Sequence, residues 1–138
     1  MKNDKNTTIN DLKLKQQKFV KNRGWDEFQN IKSLAISLSL ESNELLDHFQ
    51  WLNDKEVAEF EKNKQKVTEV SEEMADIFSY LLIACSRLNI DLSSTFNNKL
   101  KKNIKKYPAK KFKNLNWEED NREYQKARKA WEAKNSKK

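Results

Sequence analysis

The stretch "VTEVSEEMADIFSYLLIACSRL", residues 67–88, decides the fold. Val67, Val70, Met74, Ile77, Leu81, Ala84 and Leu88 recur at alternating spacings of three and four. That period traces one face of an α-helix and is what a bundle helix offers its neighbours. Beside the stripe stand two acids, Glu73 and Asp76, each one residue before an apolar position. Their i, i+3 spacing puts both carboxylates on one face. The same row reads Glu69, Glu73, Asp76, Tyr80.

Working toward the N-terminus, "LSLESNELLDHFQWL" (residues 38–52) repeats the arrangement. Leu34, Leu38, Glu41, Leu45, His48 and Leu52 follow the same three/four spacing, so Glu41 occupies a slot of the apolar stripe. Glu44 follows it by nearly one turn. Asn30 is a suitable N-cap, and the spacing predicts a helix from there to about Leu52. A lone Glu-x-x-Glu on a Lys/Glu-rich helix is usually a solvated face. Two such acidic pairs, one of them on a core stripe, shift the balance. If the two helices pack together, four carboxylates converge, repel one another and resist desolvation. A divalent cation removes the conflict. Oxygen-only ligands suit Mg²⁺ or Mn²⁺ rather than zinc, and the missing Glu-x-x-His pair argues against a di-iron centre. His48 reads as a packing histidine rather than a base.

The remaining chain is read more coarsely. A first helix is expected after Thr8 and before Gly24, the only glycine, with Leu12, Phe19 and Val20 inward. "NDKEVAEFEKN" (53–63) reads as a short acidic helix capped by Asn53 or Asp54. Asp91 is expected to cap a fourth helix over 92–106, stopped by Pro108. Residues 109–116 read as a loop. Residues 117–134 have helical composition, with Trp117, Tyr124 and Trp131 at seven-residue spacing. The expected fold is all-α: a four-helix bundle core with an extra basic C-terminal helix or arm.

Composition agrees. The chain has 138 residues, about one domain, and its single Gly and single Pro exclude a turn-rich β architecture. The lone Cys85 lies in an apolar run and reads as a buried thiol in a reducing cytoplasm. No signal-peptide pattern follows Met1, and no apolar run reaches the ~18 residues of a membrane span. A cytoplasmic protein without a membrane partner is expected. The charge is uneven. Residues 1–98 hold 13 Lys/Arg against 16 Asp/Glu, and residues 99–138 hold 15 against 5. A basic third attracts polyanions, although a solvated basic tail is the plainer reading for residues 118–138.

Around the acids lie groups that suit a nucleotide. Trp25 and Phe28 precede the second helix, Trp51 follows Glu44 by seven residues, and Tyr80 follows Asp76 by four. Their rings can sandwich a planar base, or simply fill the core. In "KLKKNIKKYP" (99–108), Lys99, Asn103 and Lys106 share a helix face. Asn103 and Lys106 can donate to phosphate oxygens, and Lys99 supplies charge. Lys101, Lys102 and Lys105 read as a solvated face.

These residues together resemble the MazG-like group of all-α nucleoside triphosphate pyrophosphohydrolases, nearest its small dCTP pyrophosphatase branch. The resemblance covers about residues 12–108. It rests on "RGWDEF" (23–28), "ESNE" (41–44) with "HFQW" (48–51), "EEMAD" (72–76) with Tyr80, and "KLKKNIKKYP" (99–108). It implies a pyrophosphohydrolase domain over residues 1–112 and a basic helix or tail over 113–138. It implies that Glu41, Glu44, Glu73 and Asp76 bind Mg²⁺, with Mn²⁺ a substitute, and that Glu41 or Glu44 helps deprotonate the attacking water. Trp25, Phe28, Trp51 and Tyr80 would surround the base. Lys32, Lys99, Asn103, Lys106 and Tyr107 would serve phosphates or sugar. The implied reaction splits a (d)NTP, expected to be a dCTP-like pyrimidine nucleotide, into (d)NMP and pyrophosphate. A homodimer, or a homotetramer as a dimer of dimers, is implied. Gln29, Ile31 and Ser33 stand where the family often has His, Pro and Asn; Ser42 and Asn43 replace smaller residues. These departures touch the wall of the base and sugar more than the metal. The competing reading is a non-enzymatic basic helical nucleic-acid binder. It leaves the paired acids unexplained, so nucleic acid is not the expected partner.

Overall fold

Caps written in the sequence set most helix boundaries. The computed structural model describes residues 3–135. In its first unit (Met1–Asp91), α1 (Ile9–Lys21) opens on a reciprocal capping box. The Thr8 hydroxyl accepts from the Asp11 amide at 3.1 Å, and the Asp11 carboxylate accepts from the Thr8 amide at 2.9 Å. Gly24, at φ 65°, turns the chain after α1 into a 3₁₀ turn, Trp25–Glu27. Asn30 then caps α2 (Ile31–Asp47), accepting from Ser33 at 3.0 Å. Asn53 and Glu56 form a second capping box for α3 (Asp54–Phe60). Asn63 caps α4 (Lys64–Arg87). That long helix ends in a Schellman motif: the Ile90 amide reaches Cys85 O at 2.8 Å and the Asn89 amide reaches Ser86 O at 3.2 Å. Asn89 takes the left-handed conformation this requires, φ 52°.

The second unit (Leu92–Lys138) holds α5 (Leu92–Lys106), α6 (Ala109–Phe112) and α7 (Trp117–Asn135). No strand occurs among the described residues, and the fold is all-α as expected.

Inside the first unit, α4 packs chiefly on α2 and secondarily on α1. Val20, Leu34 and Ile83 meet in the core, with Tyr80 and Ala84 against them. Serving two neighbours widens the buried arc of α4. Val70, Leu82, Ile83 and Cys85 are buried, whereas Val67, Met74 and Leu88 of the expected stripe are exposed. A smaller aromatic cluster seats α3: Phe60 lies 4.8 Å from Phe49 and 6.2 Å from His48 between ring centroids. His48 is thus the packing histidine its position suggests.

Two boundaries differ from expectation. Helix α2 stops at Asp47, not near Leu52. The Phe49 and Gln50 amides both bond Leu46 O at 2.9 Å, which tightens and closes the last turn. That closure lets Phe49 reach Phe60 and leaves Asn53 free to cap α3. Trp51 therefore does not continue the helical face of Glu44; it stands on a turn, 86% exposed. Residues 109–116, read as a loop, contain the single turn α6. Pro108 ends α5 and, with extended backbone, stands at the N-cap of α6, its carbonyl accepting from the Lys111 amide at 2.9 Å. Phe112 then meets the Tyr107 ring edge-on at 5.8 Å.

Candidate functional site

The seam between α2 and α4 gathers the acids. One carboxylate oxygen from each of Glu41, Glu44 and Glu73 lies within 4.8 Å of the others. Glu41 and Glu73 are half-buried and Glu44 is exposed. Asp76 lies one turn along α4 and its charge reaches the same point. Loss of hydration, then the charges of Glu44, Asp76 and Glu73, push the Glu41 carboxyl above the usual Glu range. Asp76 thus acts on Glu41 through its charge but is not among the three converging carboxylates. Glu69, on the same sequence row, instead accepts from Gln65 at 3.3 Å on the exposed side. Asp47 accepts from the Gln50 side chain at the end of α2. The donor set is all oxygen and its ligand atoms converge, which suits a hard divalent cation.

Crowding of this kind has a stability signature. A raised folded-state pKa means that ionising Glu41 costs stability at neutral pH. Its unfavourable contribution fades as pH falls through that raised pKa. Glu41→Gln should therefore raise the melting temperature of metal-free protein by about 1–3 °C at pH 7, since partly exposed like-charge contacts are each small. The gain should shrink on acidification toward the ordinary Glu range. A scanning calorimetry series from pH 7 to 4 checks both the sign and its fading.

Next to the acids, Trp25, Tyr80, Asp76, Phe19 and Gln29 line a cleft of about 370 Å³. Trp25 is held edge-on against Phe19 at 5.7 Å, and the Arg23 guanidinium lies over Phe19 at 3.7 Å. Two of the predicted base-contacting aromatics thus share a wall with a predicted metal ligand. Phe28 is 73% exposed at the end of the 3₁₀ turn and, like Trp51, does not line this cleft. Lys32 is exposed on the first turn of α2.

Lys99, Asn103, Lys106 and Tyr107 belong to the second unit. Asn103, Lys106 and Tyr107 are half-buried and Lys99 is exposed. Tyr107 stacks on Tyr124 at 5.2 Å, with the Lys106 ammonium 5.0 Å from its ring. Hydrogen bonding to Lys106 and then Tyr124 lowers the Tyr107 pKa.

Three polar cleft residues, Gln16, Gln29 and Ser79, stand outside the sequence-derived set. Gln29, noted only as a departure from the family pattern, has its side-chain oxygen buried without a hydrogen-bond partner. Ser79 lines the cleft three residues after Asp76; its i, i+3 offset was the available signal.

An all-α fold with a carboxylate cluster in a helix seam, flanked by an aromatic cleft, defines a class of small helical proteins equipped for a hard cation and a planar ligand. The MazG-like family profile matches residues 36–121, and the chain belongs to the MazG-like family. The chain is 28% identical over 102 residues to dCTP pyrophosphatase 1 of Rattus norvegicus and 29% over 102 residues to that of Bos taurus. Both alignments cover 74% of this chain, which spans 60% of the length of these curated relatives. A crystal structure of a pyrophosphatase from Archaeoglobus fulgidus is similar at TM-score 0.60 and 39% identity, covering 67% of this chain and 85% of that one. The profile-matched residues 36–121 contain all four acids and Tyr80.

Proposed function

We propose that the chain is a Mg²⁺-dependent nucleoside triphosphate pyrophosphohydrolase that converts a (d)NTP, with dCTP-like pyrimidine nucleotides preferred, into (d)NMP and pyrophosphate. The observation that carries this reading is the convergence of Glu41, Glu44 and Glu73 beside an aromatic cleft bordered by Asp76. The named activity of its relatives supports it.

Glu41, Glu44, Glu73 and Asp76 would hold Mg²⁺, with Mn²⁺ as a substitute. Bound there, the cation neutralises phosphate charge, which is most of what phosphoryl transfer asks of a protein. Trp25 and Tyr80 take the base between their faces; Phe28 and Trp51, outside this cleft, would reach the nucleotide only from the exposed turns at either end of α2. Lys32, Lys99, Asn103, Lys106 and Tyr107 donate to phosphate and sugar oxygens. A water attacks the α-phosphorus in line; the α–β anhydride breaks and pyrophosphate leaves. Glu41 or Glu44 accepts the water's proton. Residues 1–112 form the pyrophosphohydrolase domain in this reading, with 113–138 as an appended basic helix.

A homodimer, or a dimer of dimers, completes the proposal. It accounts for Ile36 and Leu40 of α2 and Met74 of α4, each more than half exposed. A cytoplasmic setting is supported by the buried free thiol of Cys85. No helix among the described residues is long and apolar enough to cross a membrane.

Pyrophosphate release from a panel of canonical and modified NTPs, with Mg²⁺ and with EDTA, tests the function. EDTA should abolish turnover and Mn²⁺ should restore part of it. A protein idle on the whole panel, or indifferent to EDTA, refutes the reading. Within the panel, Tyr80→Ala should raise KM by about tenfold or more, the range expected for one lost base–aromatic stack, while Tyr80→Phe should stay near wild type.

A further inference from the structure

The second unit contains a cleft that the proposed reaction touches only through Lys106. It measures about 530 Å³ and lies among the end of α5, α6 and α7. Lys105 and Lys106 line it from α5, Lys111 from α6, and Lys126 and Lys134 from α7, with Trp131 at one wall. Ala127 and Ala130 lie on the same face of α7, and their small side chains keep the floor low between the lysines. Trp131 is half-buried, so its ring is both fixed and reachable.

The one carboxylate in the cleft is neutralised. Glu123 pairs with the Lys126 ammonium at 2.8 Å. Lys126, and then Lys111 and Arg122, hold the Glu123 carboxyl below its usual range. The charge of Lys111 on α6 is therefore felt at Glu123 on α7. Beyond that pair the lining carries uncompensated positive charge on three sides.

We propose that this cleft binds single-stranded nucleic acid, its phosphodiester backbone running along the lysines and a base stacked on Trp131. Three features favour a strand over other anions. Lys126 and Lys134 are eight residues apart on one helix, about 12 Å at 1.5 Å per residue. A single phosphate or diphosphate does not bridge that span, whereas consecutive phosphodiesters do. An aromatic wall inside a basic groove is the arrangement that holds unpaired bases without reading sequence. A duplex keeps its bases stacked inside a convex rod and cannot offer one to a concave site. The clustered acids that would repel a phosphate backbone are on α2 and α4, and none of them lines this cleft. The inference shares Lys106 with the pyrophosphohydrolase reading and otherwise rests on residues which that reading does not use.

Fluorescence anisotropy of the full chain with a labelled oligo(dT) 20-mer tests it, across a KCl series. If the four lysines outside the Glu123–Lys126 pair each neutralise a phosphate, log K should fall with log[salt] at a slope of about −3. Lys111→Gln/Lys134→Gln, which keeps good helix formers, should weaken binding at least tenfold and flatten the slope by about 1 to 1.5. Trp131→Ala should weaken it about tenfold with the slope unchanged, and Trp131→Phe should retain most of the affinity. Lys55→Gln/Lys62→Gln, on and just beyond α3, controls for diffuse attraction. The proposal is overturned if the two double variants behave alike, if duplex of equal length binds as tightly, or if equimolar pyrophosphate displaces the strand.

Discussion

Glu73→Gln should lower pyrophosphate release at saturating nucleotide by about 10²–10³-fold, the range for removing one electrostatic partner from a site of developing charge. The residue is chosen because it sits on α4 while Glu41 and Glu44 sit on α2, so it closes the cluster across the seam. Its replacement is isosteric, removes one negative charge and leaves the helix former in place. Folding should therefore survive. The loss should divide unevenly. The apparent affinity for Mg²⁺ should weaken, so part of the rate should return at high Mg²⁺. Glu44→Gln should show the same weakening and, if it also takes the water's proton, a residual loss that Mg²⁺ does not repair. Titrating Mg²⁺ against initial rate for both variants separates cation binding from proton transfer. A Glu73→Gln protein with wild-type rate and wild-type Mg²⁺ dependence would remove the seam from the mechanism. A related contrast comes from the metal-free state, where the same class of substitution is expected to stabilise. Opposite signs for stability and activity are the mark of a site that crowds charge for use.

What the sequence shows and what it hides divide along physical lines. Spacing of three and four along residues 67–88 reports a helix face, because side-chain direction follows the 3.6-residue period wherever the helix persists. For the same reason Glu41, standing in a stripe slot, is legible as an acid turned toward the seam. Caps are legible too, since Thr8, Asn30 and Asn53 act within three residues of themselves. Helix ends set by tertiary demand are not. Leu52 keeps the spacing of α2 although the helix has closed at Asp47, because the closure serves the meeting of Phe49 with Phe60. The two-turn relation between Glu44 and Trp51 was lost with it. Pro108 reads as a stop; that it also starts α6 depends on Phe112 finding Tyr107. Gln29 could be noticed as a departure, but its unpartnered oxygen reflects what surrounds it, not its neighbours in sequence. The lysines of the cleft in the second unit are scattered in sequence: Lys105 reads as a solvated face, Lys111 as part of a loop, and Lys126 and Lys134 as part of a basic tail. Lys105 and Lys111 acquire a shared purpose only when α7 places Trp131 and Lys126 against them.

Leu34→Ala should destabilise the protein by about 2–5 kcal/mol, the usual cost of emptying a fully buried leucine site. Leu34 is 1% exposed, the most deeply buried of the core residues, and it joins Val20 of α1 to Ile83 of α4. Few other residues make such a link, because the core is thin and many large apolar side chains lie at the surface. A cavity there cannot be closed cheaply, because α4 is held on both flanks. Leu34 also precedes Glu41 by two helical turns on the same side of α2. Loosening it should let α2 shift against α4 and blur the spacing between Glu41 and Glu73. Weaker Mg²⁺ binding should accompany the lost stability, with KM for nucleotide less affected. Urea unfolding in EDTA and in Mg²⁺ measures both effects. The midpoint should fall at unchanged slope, and the stabilisation conferred by Mg²⁺ should be smaller than in wild type. Leu14→Ala provides the contrast, being the same substitution at a 56% exposed position of α1; it should cost well under 1 kcal/mol. Equal losses for Leu34→Ala and Leu14→Ala would mean that the α2–α4 seam does not carry the fold. Loss of stability with Mg²⁺ binding intact would mean that the Leu34 contact does not set the spacing of the α2 and α4 carboxylates.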